Sequence, residues 1–152
     1  DITGKNIRLG ISLTELYREL ATYPVKGAYV FLDACFSGGY KSAAPLLAQK
    51  GVRVVPKVGL PQGKTLSFSS SSGDQTSSVY HDKKQGYYTY FLIKTIRDAK
   101  GNISMKELFD RTSAAVKRAT ALIDKIQEPQ CMASPTWIGW EDIKLETPVV
   151  TP

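Results

Sequence analysis

Ala28-Tyr29-Val30-Phe31-Leu32-Asp33-Ala34-Cys35-Phe36-Ser37-Gly38-Gly39 is the stretch on which the fold of this chain turns. Its opening run, Ala28 to Leu32, carries two aromatics, a β-branched residue and no charge. So short a run, bounded by Gly27 and by Gly38-Gly39, predicts a strand buried on both faces. At the strand's exit stand an acid, Asp33, and a thiol, Cys35. In open parallel sheets, ligands sit beyond the carboxyl ends of strands. Glycines there let backbone approach a substrate closely, which suits a thiol nucleophile. The plainer reading of Cys35 is a small buried hydrophobe, and strand plus cysteine leave both readings open.

Upstream, Ser12-Leu13-Thr14-Glu15 is a capping box. Leu13, Leu16, Tyr17 and Leu20 follow at helical spacing as one apolar stripe, and Pro24 ends the helix. Downstream, residues 40–50 predict a short helix interrupted at Pro45, and residues 51–64 a brief valine-rich strand with flexible flanks. Lys64 to Ser70 alternates apolar and polar, a second strand with Leu66 and Phe68 on one face. The serine-rich run from Ser69 to Ser78 is loop chemistry.

Tyr87 to Ala99 predicts a helix with Phe91, Leu92, Thr95 and Ile96 inward and Gly101 as its stop. Ser104-Met105-Lys106-Glu107 is a second capping box. It opens a helix reaching about Lys125, with Leu108, Thr112, Ala115, Val116, Ala119, Leu122 and Ile123 inward. Thr136 to Trp140 is a candidate edge strand, and residues 146–152 read as a tail. Alternating strands and helices point to an α/β sandwich. So few strands hint that part of the sheet is supplied from elsewhere.

At 152 residues the chain is long enough for one domain with a real core. It is 42% hydrophobic and 22% charged, with no apolar run of transmembrane length. The net charge of +6 and the pI near 9.3 permit an acidic partner. The basic residues are scattered, however, with no stripe interleaved with exposed aromatics, so neither nucleic acid nor membrane is expected as a partner. One His (His81) and two Cys (Cys35, Cys131) are too few for a structural zinc site. Nothing argues for an oxidising compartment; both thiols are read as free and the protein as cytoplasmic.

Three stretches together resemble the caspase-like cysteine peptidases, within them the metacaspase and bacterial caspase-like branch. Asp33-Ala34-Cys35-Phe36-Ser37-Gly38 is similar to that branch's Asp-x-Cys-x-Ser-Gly. Gly73-Asp74-Gln75-Thr76-Ser77 is similar to its Asp-Gln-Thr-Ser segment, and Gly86-Tyr87-Tyr88-Thr89-Tyr90-Phe91 to its Gly-x-Phe-Thr-Tyr helix start. They occur in order over residues 26–97.

The resemblance implies a three-layer α/β/α sandwich with a mostly parallel sheet. Residues 1–145 would form the C-terminal portion of the domain, its first strands lying on a separate upstream chain. It implies an endopeptidase with Cys35 as nucleophile and the Cys35 amide as an oxyanion donor. Caspases carry Gln where Asp33 stands. A carboxylate there, on the same strand face as Cys35, would select Arg or Lys at P1, with Asp74 as a second wall of that pocket. The plainer alternatives are a hydrogen-bonded strand-end carboxylate for Asp33 and a turn-forming residue for Asp74.

Two departures stand out. The family's catalytic His lies about 50 residues before the nucleophile. Here 34 residues precede Cys35 and none is His, while His81 lies downstream on a polar loop. The resemblance therefore implies a partner, an upstream chain carrying the His, released by self-cleavage after a basic residue before Asp1. Residues 34–73 also contain no Asp or Glu, and Val79 stands where the motif ends in Asp, so no cofactor and no calcium requirement are expected. The alternative function is an inactive caspase-fold module kept for binding or regulation.

Overall fold

The computed structural model describes residues 11–34, 59–72, 75 and 77–145. Cys35, Asp74, the short helix of residues 40–50, most of the expected 51–64 strand and the 146–152 tail lie outside the described residues.

Helix α1 (Leu13–Thr22) starts where the capping box places it, the Glu15 amide donating to Ser12 Oγ at 3.0 Å. Its stripe turns inward: Tyr17 is buried, and Leu13, Leu16 and Leu20 are half-buried. Strand β1 (Ala28–Leu32) follows and pairs in parallel with β2 (Thr65–Ser69), Ala28 opposite Thr65 and Phe31 opposite Phe68. On the other edge of β2, β5 (Gln130–Ala133) pairs antiparallel. Among the described residues the order β1-β2-β5 is a mixed sheet, with one parallel and one antiparallel pairing.

β2 is the centre of the molecule, and every residue in it is buried. Leu66 and Phe68 face a core built with Tyr88, Ile103, Met105, Leu108, Val116 and Trp137. These come mainly from two packed helices, α2 (Tyr87–Asp98) and α3 (Met105–Ala121). The opposite, polar face of β2 is covered by α1, whose Tyr17 hydroxyl donates to Ser67 Oγ at 2.7 Å. Alternation in β2 therefore separates two buried faces, one apolar and one polar, with helices on both sides of the sheet.

Four expectations are corrected. β1 is half-covered, not buried on both faces: Phe31 is 38% exposed, because β1 is the outer strand among the described residues. The third helix stops at Ala121, leaving Leu122 at 83% and Ile123 at 43% exposure. Asp124 takes a left-handed φ of 54°, and the Asp124 and Lys125 amides close the helix on Ala121 and Thr120. The Thr136–Trp140 strand is instead a turn and a 3-10 turn (Trp140–Asp142); pairing falls one step earlier, on β5, which ends before Pro135. Finally, the polar loop read around His81 is a two-stranded hairpin, β3 (Val79–Tyr80) with β4 (Gln85–Gly86), joined by a 3-10 turn at His81–Lys83.

No helix among the described residues is long and apolar enough to cross a membrane.

Candidate functional site

β1 and β2 run in parallel and end side by side. The Ser70 amide donates to the Leu32 carbonyl at 2.8 Å, and Ser70 Oγ to the Ala34 carbonyl at 3.3 Å. The backbone that leads into Cys35 is thereby tied to the exit of β2.

Asp33 is the first residue past β1, exposed at the mouth of a pocket of about 270 Å³ lined by Asp33, Ala34, Ser77, Ser78, Val79 and Gly86. Its carboxylate accepts three hydrogen bonds. Ser77 Oγ reaches Oδ1 at 2.5 Å; the Thr89 amide (3.2 Å) and Thr89 Oγ1 (2.6 Å) both reach Oδ2. Thr89 is the third residue of α2, whose N-cap is Gly86 and brings no side-chain cap. An N-cap oxygen normally accepts from that third amide. Asp33 supplies it from another element, and its negative charge suits the positive end of the helix. Gly86 makes room: a Cβ there would lie 2.9 Å from Asp33 Cγ.

The loop opposite is held by residues that follow α3. Gln127 is buried; its Oε1 accepts from the Ser78 amide at 2.9 Å and its Nε2 donates to the Ser70 carbonyl at 3.0 Å. Next to it, Gln75 and Glu128 form a second pair: Gln75 Nε2 donates to Glu128 Oε2 (3.1 Å), and the Glu128 amide to Gln75 Oε1 (2.7 Å). On the pocket wall, Ser78 carries a buried hydroxyl with no partner among the described residues. The hairpin is fixed to α2 by rings, Tyr80 stacked on Tyr87 at 4.4 Å and edge-on to Tyr90 at 5.2 Å.

Asp33 also acts on its surroundings. Burial first, then the Asp33 charge and Cys131, push the Tyr88 phenol well above its ordinary range, so Tyr88 stays neutral. Cys131 on β5 is a free thiol pushed up to about 12, mainly by burial, and is inert as a nucleophile at neutral pH. His81, the one histidine of the chain, is exposed on the 3-10 turn at the hairpin tip.

Of the residues singled out in the sequence, the structure describes Asp33 with its pocket; Cys35 and Asp74 lie outside the described residues. Sequence reasoning missed Thr89, Gly86, Ser77 and Gln127 as its supports. Thr89 and Gly86 sit in the quoted Gly-x-x-Thr helix start, where the absence of a capping side chain was the available signal. Gln127 had none, since its partners are 49 and 57 residues away.

No curated protein matches the chain. The caspase-domain family, a family of cysteine peptidases, does match, over residues 5–136, and with that share of its 152 residues inside the match the chain belongs to it.

Proposed function

We propose that this chain carries the nucleophile half of a cysteine endopeptidase of the metacaspase-like branch, cutting after Arg or Lys. The observation that carries the reading is Asp33: a carboxylate at the exit of β1, on a pocket, two residues before Cys35. Cys35 attacks the scissile carbonyl as thiolate, and its backbone amide donates to the oxyanion. Asp33 attracts the cationic P1 side chain, with Asp74 as a second acid.

The base is a His on an upstream chain, separated by self-cleavage and held against this one. Among the described residues β1 is paired on one edge only, which supports a further strand docking there. Turnover needs no calcium; loss of activity on chelation, restored by calcium, would contradict this.

The test is cleavage of short peptides with Arg, Lys or Asp at P1 by the full-length precursor, its Cys35→Ala variant and its Asp33→Asn variant. Expected are turnover at Arg and Lys only, loss in Cys35→Ala, and a fall of about 10- to 100-fold in kcat/KM in Asp33→Asn, the size of a charge-assisted hydrogen bond. Intact mass should show the precursor cut between that His and Cys35 in wild type and uncut in Cys35→Ala. A folded precursor that cleaves none of the peptides, while binding them at Asp33, would instead establish the inactive binding module.

A further inference from the structure

We propose that Thr89 sets how Asp33 meets a cation, making the site indifferent between guanidinium and ammonium groups. The inference rests on the reading of Asp33 as the P1-selecting acid and adds which of its oxygens remains available.

A carboxylate offers about four lone-pair positions, two per oxygen. On Asp33 both positions of Oδ2 are taken, by the Thr89 amide and the Thr89 hydroxyl. One position of Oδ1 is taken by Ser77 Oγ. What remains is a single acceptor position on Oδ1. An arginine gains its advantage over lysine by placing two parallel N–H groups on the two oxygens of one carboxylate. That fork needs a vacancy on each oxygen, and Oδ2 has none. A guanidinium is therefore held through one hydrogen bond, as an ammonium is, and the geometric advantage of arginine is cancelled.

The Thr89 hydroxyl is the removable half of the block. Its amide is part of α2 and stays in any variant. Without the hydroxyl, each oxygen has one vacant position and the fork can form. Ser77 acts differently: its loss opens a second position on Oδ1 while Oδ2 stays full, so both cations gain together. Thr89 is thus a positioning residue with a specific signature, a change in the ratio of two affinities.

The experiment is an NMR titration of the full-length protein with n-butylguanidinium and n-butylammonium, which needs no turnover. Wild type should bind the two within about twofold of each other. Thr89→Val should favour the guanidinium by about fivefold, the size of one net hydrogen bond, while Thr89→Ser keeps the wild-type ratio. Ser77→Ala should tighten both with the ratio unchanged.

If Asp33→Asn abolishes binding of both cations but Thr89→Val leaves their ratio as in wild type, the Thr89 inference fails and the role of Asp33 stands. If neither cation binds, or Asp33→Asn alters neither, the P1 reading itself fails and takes the inference with it. Should Thr89→Val not fold, a tenfold guanidinium preference in wild type overturns the inference by itself.

Discussion

At the scale of single residues, Asp33 does two jobs with one carboxylate: it caps α2 and lines the pocket. The strand-end hydrogen-bonding reading and the pocket reading are therefore not rivals. Gly86 is where they meet. Its φ of −67° and ψ of 149° suit alanine, so any cost of Gly86→Ala comes from overlap with Asp33 rather than from backbone strain. Overpacking of this kind costs about 1–3 kcal/mol. Chemical denaturation should show that loss in Gly86→Ala, and little of it when Asp33→Ala is already present; equal losses in both backgrounds would mean the two do not touch. Cys131 gives a second prediction. Its thiol ionises near 9.0 when unfolded and near 12 in the fold. As pH rises through that window the unfolded chain releases its proton first, so stability is full below it and declines within it. Urea midpoints at about pH 7.5 and about pH 10 should fall further in wild type than in Cys131→Ala. Parallel declines would remove burial of the thiol as the cause.

Among the elements, those announced by a local signal were legible. The capping serines mark both helix starts within a residue, the Glu107 amide donating to Ser104 Oγ at 3.2 Å as Glu15 does to Ser12. Helix ends were harder, because the left-handed residues that close α2 and α3 are Lys100 (φ 51°) and Asp124 (φ 54°) rather than glycine. At α2, Gly101 follows the turn and the reading held; at α3 no glycine exists and the stripe was carried two residues too far. The serine-rich loop was legible as a loop but not as an ordered one, since what orders it is Gln127, across α3. Gln127→Leu keeps the volume and removes both hydrogen bonds, leaving the Ser78 amide and the Ser70 carbonyl unpaired. We expect it to destabilise the protein by about 2 kcal/mol or more. Because Ser78 lines the pocket, KM for Arg and Lys peptides should rise more than kcat falls. A variant as stable as wild type would show that water or another group takes over both bonds.

For the whole molecule, the α/β class followed from the alternation of strand and helix patterns, helices on both faces from the family resemblance, and the position of the acid-bearing turn from the apolar run at Ala28 to Leu32. What did not follow is how exposed β1 is, because exposure of a strand depends on its neighbours and not on its own side chains. In the parallel pairing, the Ala28 amide donates to the Lys64 carbonyl and the Leu32 carbonyl accepts from Ser70, so Ala28, Val30 and Leu32 bond toward β2. The backbone of Phe31 then points the other way, toward the edge that is unpaired among the described residues. An apolar strand with a half-exposed phenylalanine and one edge unpaired among the described residues is a template for pairing. If the upstream segment docks a strand there, the Phe31 amide of the full-length protein belongs to the sheet interior. Hydrogen exchange should then find it protected to the same degree as the Val30 amide, both opening only with the sheet. A Phe31 amide exchanging at loop rates beside a protected Val30 would mean that β1 stays an edge. The proposed upstream His would then have no strand on which to reach Cys35.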